Sequence, residues 1–243
     1  MIDIRYFGGK ARIAKPIVEY LKSIREEGQP YIEPFVGGGW VMSLMDGERI
    51  ACDKHTYLIA MYKEIQNGWI PPTNLTKEEY EYIKNNRDEK PYLTGFVGFG
   101  CSFAGKWFGG FASSKDRNYC LNAHNSIMKK METMKDVKFY DCDYKEINPK
   151  GLLIYCDPPY QGTTQYGLVG NFDSNEFWDV VREWSKDNMV VVSEYNAPED
   201  FVEVWSKDVK TDIRNKDNKK EQRIEKLFLH KSNLKQIIHN ETA

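Results

Sequence analysis

The sequence has no long hydrophobic run, no paired-cysteine motif and no excess of positive charge. No stretch approaches the about 18 apolar residues that a membrane helix needs, and the start of the chain shows no targeting pattern, so we expect a cytoplasmic protein without a membrane partner. The five cysteines are scattered without a CxxC pair, which indicates free thiols in a reducing compartment. This pattern disfavours a structural zinc site, and we predict no metal.

Charge is almost balanced over the whole chain. The 34 Lys and Arg residues are matched by 36 Asp and Glu residues, for a net charge of −2. This balance excludes a uniformly basic nucleic-acid coat, so a polyanionic partner would have to meet a local basic patch. At 243 residues the chain is long enough for one large α/β domain or for a domain with an insertion.

Short apolar segments alternate with helical patterns over the first 68 residues. This alternation is typical of a parallel sheet with helical crossovers. We predict strands at 31–32 and 49–52, the second ending at Asp53, and helices at 13–24, at 40–45 and after Asp53 through Ile65.

The alternation lapses between residues 69 and 136 and then returns. Thr76 and Glu79 have the spacing of a capping box at the start of a helix over 73–86, and a second helix is predicted over 122–134. Strands are predicted at 137–140, 152–156, 189–192, 208–213 and 224–230, and a helix at 176–185. We therefore predict a catalytic domain formed by residues 1–68 and 137–243, with an insertion at 69–136.

Asp157-Pro158-Pro159-Tyr160 directly follows the apolar run 152–156, so a carboxylate, a rigid backbone and an aromatic ring meet at one strand end. An amine conjugated to a nucleobase is a poor nucleophile. A carboxylate and a carbonyl beside the prolines could each accept one N–H and hold the nitrogen pyramidal, while Tyr160 stacks on the ring. The alternative is a proline-stiffened turn after a buried strand.

A glycine loop, Phe35-Val36-Gly37-Gly38-Gly39, lies between a predicted strand and a predicted helix, where backbone can approach a ligand closely. The third glycine of a dinucleotide fingerprint would fall at Met42, which argues against pyrophosphate binding. Asp53 ends the next strand, where an acid could accept both hydroxyls of a ribose. A nucleoside without a pyrophosphate fits this pattern, although Asp53 could also be a helix cap and the glycines plain turn residues.

Three ordered segments, Tyr6-Phe7-Gly8-Gly9-Lys10, the loop that begins at Glu33, and Asp157-Pro158-Pro159-Tyr160, resemble the Dam-type (D12 class, alpha-group) DNA adenine-N6 methyltransferases. The resemblance implies a Rossmann-like class I methyltransferase fold of the α/β class. Its sheet would be mostly parallel and seven-stranded with one antiparallel strand, and a small, mainly helical DNA-recognition domain would be inserted. It also implies S-adenosylmethionine as methyl donor, S-adenosylhomocysteine as product, double-stranded DNA as partner, and a flipped target adenine in a bacterial or phage setting.

The resemblance carries roles over to individual residues. It implies catalytic roles for Asp157, Pro158 and Tyr160, and cofactor binding by Tyr6, Gly9, Lys10, Glu33, Phe35, Gly37, Gly39, Asp53, Asp143, Tyr144 and Asp157. Two later segments, residues 193–196 and 223–225, also fall where the family has motifs. For these we expect structural or pocket-rim roles.

The local basic patch lies between Gly95 and Lys135, a segment that contains six basic residues and two acidic ones. Aromatic residues and glycines are interleaved there, and the run 101–111 resembles the family's recognition element, with Lys106-Trp107 where many members have an arginine. Candidate DNA contacts are Lys106, Trp107, Lys115, Arg117, Asn118, Lys129 and Lys130, with the basic loop 214–220 as a second candidate. Core packing of the aromatics and a solvated helix face for Lys129 and Lys130 are the alternatives.

Three other functions remain open at this point. Cytosine-N4 methylation uses the same amine chemistry, so only the methylated base would distinguish it. A nucleic-acid-binding module that has lost catalysis is disfavoured by the presence of Lys10, Asp53 and Asp157, and a nicotinamide oxidoreductase by the missing third glycine. The oligomeric state is not determined by the sequence, and a monomer or weak dimer is expected.

Overall fold

A seven-stranded sheet forms the centre of the molecule, in the order β3-β2-β1-β4-β5-β7-β6. The structure is a computed structural model that describes residues 9–160, 172–214 and 220–234. The strands are β1 Tyr31–Glu33, β2 Arg49–Asp53, β3 Lys138–Asp141, β4 Leu153–Cys156, β5 Met189–Glu194, β6 Phe201–Arg214 and β7 Lys220–His230. Strands β1 to β5 pair in parallel, and β7 runs antiparallel to both β5 and β6. The predicted α/β fold with one antiparallel strand is confirmed.

Helices lie on both faces of this sheet. They are α1 Ala14–Ile24, α2 Thr56–Gln66, α3 Lys77–Asn85, α4 Pro91–Gly100, α5 Tyr119–Thr133 and α6 Ser174–Trp184. Every residue of β4 and β5 is buried, as expected for central strands that are covered on both sides.

The two faces bury different side chains, because successive residues of a strand point to opposite sides. One face contributes residues such as Tyr155 and Leu227 to a core shared with α1, α2, α4 and α5. Helix α1 buries Ile17, Val18 and Leu21 there, at the spacing of an amphipathic helix. The other face packs against α6, which buries Phe177, Trp178, Val181 and Trp184.

Helices α3, α4 and α5 occupy the predicted insertion and pack on the same core as α2. Gly95 of α4 lies against α2 so closely that an added Cβ would come within 2.1 Å of the Tyr57 carbonyl oxygen. Gly98 is equally restricted, since a Cβ there would meet the Trp107 ring at 2.3 Å. Part of the glycine content of this segment is therefore explained by close packing. The division into two domains stays a prediction.

Local predictions had mixed outcomes. The capping box is confirmed, because the Glu79 backbone N–H donates to Thr76 Oγ1 at 3.1 Å and the Thr76 N–H to Glu79 Oε2 at 2.7 Å. The helix predicted at 40–45 was wrong. Only a 3-10 turn forms, at Met42–Leu44. The buried Arg49 guanidinium donates to the Met45 carbonyl at 3.0 Å, so this carbonyl has a partner without the backbone N–H that a longer helix would have supplied. Strand β6 begins at Phe201 rather than at Asp208, because β7 continues to His230 and pairs with that residue.

Candidate active site

The carboxyl ends of the parallel strands bring the chemistry-bearing residues to one edge of the sheet. Glu33 ends β1, Asp53 ends β2, and Asp157 follows β4, which pairs directly with β1. Crevices beyond the carboxyl ends of parallel strands are where open α/β sheets bind ligands. Residues far apart in sequence are therefore gathered by the topology itself.

Lys10 lies at the centre of a buried cluster of charges. Its Nζ is 2.8 Å from Asp157 Oδ1 and 2.9 Å from Glu225 Oε1. The Lys10 and Glu225 side chains are 8% and 9% exposed, whereas the Asp157 side chain is 21% exposed. Of the three, Asp157 is thus the group that a ligand can reach.

Tyr160 directs its hydroxyl into this cluster. The hydroxyl accepts from Lys10 Nζ, donates to Glu225 Oε1 and lies 2.9 Å from Ser193 Oγ. The Lys10 ammonium also lies 4.4 Å from the centroid of the Tyr160 ring, in a cation–π position. The orientation of the ring is consequently fixed from two directions.

Burial and neighbouring charges shift the pKa of both central groups. Burial raises the pKa of Asp157, while the Lys10 ammonium acts in the opposite sense. For Lys10, burial lowers the pKa, but Asp157 and Glu225 together outweigh burial and the net shift is upward. Lys10 therefore stays charged at neutral pH and Asp157 keeps a cation beside it.

Glu33 is buried at the end of β1 and accepts a hydrogen bond from the Tyr31 hydroxyl at 2.8 Å. Burial raises its pKa well above the ordinary range. A buried carboxyl group that accepts this hydrogen bond has acceptor capacity left for a ligand amine.

The glycine loop is tied to Asp53. Gly37 N–H donates to Asp53 Oδ2 and His55 N–H to Asp53 Oδ1, each at 2.9 Å. Gly37 and Gly39 have positive φ angles of 46° and 64°, a region that side chains with a Cβ disfavour. Burial raises the pKa of Asp53 to about 6, although both hydrogen bonds oppose the shift. The loop and the carboxylate form one preorganised unit.

Asp143 and Tyr144 lie beside this loop. The Phe35 and Tyr144 rings are 5.1 Å apart, and Asp143 accepts from Lys54 Nζ at 2.9 Å. Within the described ranges, the Tyr144 hydroxyl is buried and has no hydrogen-bond partner. A polar ligand atom could satisfy it.

Lys130 does not occupy the exposed position that we expected. It is 7% exposed, donates to the Gly38 carbonyl and places its ammonium 3.4 Å from the centroid of the Trp40 ring. A buried ammonium is poorly placed for DNA phosphates, so its contacts favour a role at the glycine loop. The spacing of Lys130 with Ile127, Met131 and Met134 on the buried stripe of α5 was a signal for this position.

The other candidate DNA contacts divide into exposed and packed residues. Lys106, Lys115, Arg117 and Lys129 are exposed. Asn118 is exposed too, but its side chain caps α5 by accepting from Leu121 N–H at 2.9 Å. Trp107 packs inside an aromatic cluster, with its ring 4.2 Å from His55 and 4.8 Å from Phe99. Core packing, the alternative reading of the aromatics, accounts for Trp107.

Some predictions concern residues outside the described ranges. They are cofactor binding by Tyr6 and DNA contact by the basic loop 214–220, most of which lies outside these ranges. Gly9 is described, and it lies exposed directly before Lys10. The roles of Tyr6, Gly9 and the basic loop stay predictions.

Ser193 and Glu225 lie in the two later segments for which only structural or pocket-rim roles were expected, and both belong to the cluster. Ser193 Oγ donates to Glu225 Oε1 at 2.8 Å. Ser193 pairs with Leu227, and Glu225 lies two residues before Leu227 in β7, on the same face of the sheet. A buried carboxylate late in the sequence was visible, but its partners depend on a strand register that the sequence does not reveal.

Two features are absent from the described part of the chain. No helix there is long and apolar enough to cross a membrane. Nor do three or more His, Cys, Asp or Glu side chains in those ranges form a group that could hold a metal ion.

Comparison with known proteins adds a family to this geometry. The family model for D12 class N6 adenine-specific DNA methyltransferases matches residues 6–97 and 106–223. The break between the two matched segments falls in the aromatic and glycine-rich run. No significant match was found among curated proteins. A solved structure of a candidate RNA methyltransferase from Pyrococcus horikoshii aligns over 93% of this chain and 84% of that chain, with 13% identity and a TM-score of 0.42.

Proposed function

Because the chain belongs to the D12 class of N6-adenine-specific DNA methyltransferases, we propose that it transfers a methyl group from S-adenosylmethionine to N6 of adenine in DNA, with Asp157 as the catalytic carboxylate. The observation that carries this proposal is the cluster at the end of β4. There Asp157 is the most accessible of three clustered charges, and its Oδ1 lies 2.8 Å from Lys10 Nζ. The glycine loop after β1 lies at the same sheet edge.

The residues beside Asp157 fit a nucleoside cofactor that carries an amino acid. Both oxygens of Asp53 are fixed by backbone N–H groups, and each retains a lone pair for a ribose hydroxyl. Glu33 could accept from the amino group of the methionine part, and the positive φ at Gly37 and Gly39 lets the backbone approach. Phe35, Asp143 and Tyr144 would border the adenine ring.

When bound, S-adenosylmethionine supplies an electrophilic methyl group whose bond to sulfur breaks as the bond to N6 forms. The protein positions the acceptor. Asp157 would accept one N–H of the adenine amine and the Pro158 carbonyl the other, which would leave the nitrogen lone pair free for the methyl group. The amine becomes acidic as it is methylated, and its proton then passes to solvent without a strong base.

Tyr160 would provide the surface on which the extruded base stacks. Its ring is held by the hydroxyl contacts and by Lys10 on one side, so the base would lie on the opposite face. Base–aromatic stacking contributes about 1–3 kcal/mol per base. This energy would offset part of the cost of removing the adenine from the duplex.

The exposed basic residues of the inserted segment would contact the DNA backbone. Lys106, Lys115, Arg117 and Lys129 lie on the surface of a chain whose overall charge is −2. Such a local patch supports binding without making the whole protein basic. Lys130 is assigned instead to the glycine loop, and Trp107 and Asn118 to structural roles.

The proposal is tested by incubating the protein with S-adenosylmethionine and unmethylated DNA, digesting the DNA, and identifying methylated nucleosides by mass spectrometry. We expect N6-methyladenine within one short sequence motif. N4-methylcytosine would show that the acceptor is the exocyclic amine of cytosine and not that of adenine. No methylation of DNA, despite binding of the cofactor, would contradict it.

A further inference from the structure

Glu225 presents one carboxylate oxygen to three donors. Lys10 Nζ lies 2.9 Å from Oε1, Ser193 Oγ donates to it at 2.8 Å, and the Tyr160 hydroxyl also donates to it. Glu225 reaches them from the antiparallel strand β7, whereas Asp157 follows β4. The side chain is 9% exposed. An acceptor so enclosed contacts the residues of the proposed reaction without being accessible to the base.

Lys10 is consequently shared between two carboxylates. Without Glu225 the ammonium would pair with Asp157 alone and would draw that carboxylate away from its ligand-facing position. The Tyr160 hydroxyl would also lose the acceptor that fixes its ring. One side chain on β7 therefore controls both the charge that faces Asp157 and the orientation of the stacking ring.

We propose that Glu225 is a positioning residue for methyl transfer, which holds Lys10 and Tyr160 so that Asp157 remains available to the adenine amine. This inference rests on the proposed function, since it assigns Glu225 a part in the same reaction. In this proposal the buried Glu225 would contact neither cofactor nor base. Its effect is exerted through Lys10 and Tyr160.

The test compares Glu225→Gln with the unchanged protein. The amide keeps the size of the side chain and removes its charge. We expect kcat to fall about 10- to 100-fold, the range that misplacement of a reacting group by about 1 Å causes. The KM for DNA and the affinity for S-adenosylhomocysteine should change less than about threefold, because ground-state binding is made elsewhere. Glu203→Gln is the matched control, since Glu203 pairs with Lys226 at 2.8 Å at the surface of β6.

The pH profile separates positioning from a merely structural role. Asp157 is surrounded by titratable groups from several elements, namely Lys10, Glu33, Tyr155, Cys156, Tyr160 and Glu225. Burial raises the Asp157 pKa and the Glu225 charge adds to that rise. Removing the charge should lower the Asp157 pKa, so the acid limb of the kcat profile should move to lower pH. Glu225→Asp keeps the charge but withdraws it, and should lower kcat while leaving the acid limb in place.

Titration of Asp157 by carboxyl-carbon NMR gives a readout that does not need activity. A lower Asp157 pKa in Glu225→Gln, together with the kcat loss, supports the proposal. The proposal is overturned if Glu225→Gln leaves the Asp157 pKa unchanged or keeps kcat within about threefold of the unchanged protein. If the glutamine variant fails to fold, full activity of Glu225→Asp overturns it. If the unchanged protein makes no N6-methyladenine while its Asp157 pKa still depends on Glu225, the proposed function fails and the charge coupling stands.

Discussion

At the scale of single residues, Tyr160 combines a stacking ring with a hydroxyl that is part of the charge cluster. The sequence pattern predicted the ring but gave no partner for the hydroxyl, which contacts Lys10, Ser193 and Glu225. A side chain that is held this firmly can present its ring without ordering it at the moment of binding. Both parts of the residue should therefore contribute to activity.

Substitution of Tyr160 distinguishes the two parts. We expect Tyr160→Phe to lower kcat/KM about tenfold, because the hydroxyl bond to a charged partner is lost. Tyr160→Ala should lower it at least about tenfold further, because the stacking surface is lost as well. Steady-state kinetics on a short duplex measure both values. Equal losses in the two variants would refute the stacking role.

If Asp53 binds the cofactor as proposed, we expect cofactor binding to depend on pH. Burial raises its pKa to about 6, whereas an unfolded Asp titrates near 4. Since the ionised form would accept the ribose hydroxyls, affinity for S-adenosylhomocysteine should decrease up to about tenfold per pH unit below 6. Calorimetric titration between pH 4.5 and about 7.5 measures this. Asp53→Asn should bind more weakly and lose the dependence, and a wild-type affinity that is flat across pH 6 would contradict the assignment.

The raised pKa of Asp53 also affects the stability of the fold, with the opposite dependence on pH. The folded state binds the Asp53 proton more tightly than the unfolded state, so Asp53 favours folding below about pH 4 and this contribution is lost as pH rises through 6. We therefore expect the Asp53 contributions to cofactor affinity and to the free energy of unfolding to change in opposite directions with pH.

At the scale of elements, α5 connects the inserted segment to the glycine loop. Lys130 on the buried side of α5 donates to the Gly38 carbonyl, while its neighbour Lys129 is exposed. A step of one residue rotates a helix by about 100°, so adjacent lysines reach different environments. The sequence showed two adjacent lysines, and only the apolar stripe of the helix distinguishes them.

The two lysines should affect different ligands. Lys130→Met keeps the length of the side chain but removes the bond to the loop, and we expect the affinity for S-adenosylhomocysteine to fall about tenfold, equivalent to ~1.4 kcal/mol. Lys129→Met should leave that affinity unchanged and weaken DNA binding, with a salt dependence reduced by about one phosphate contact. Calorimetry with the cofactor product and fluorescence titration with DNA measure the two effects. Equal behaviour of the two variants would show that α5 does not separate these roles.

At the scale of the whole molecule, the sheet and its gathered strand ends were accessible from sequence. Alternating apolar segments predicted the parallel strands, and the position of Glu33, Asp53 and Asp157 at their ends followed from that alternation. The place of Glu225 did not follow, because it depends on the register of β7 against β5. Packing of Trp107 was also set by long-range contacts that local patterns do not encode, and so was the contact of Lys130 with the Gly38 carbonyl.

The central claim is that Asp157 acts in methyl transfer and is not needed to bind the ligands. The most direct measurement is a single-turnover assay of Asp157→Ala and Asp157→Asn on DNA, with S-adenosylhomocysteine and DNA affinities determined for the same preparations. We predict a loss of transfer of at least about a thousandfold, since in-line placement of the amine is lost, with both affinities within about tenfold of the unchanged protein. Transfer at the unchanged rate in either variant would contradict the account.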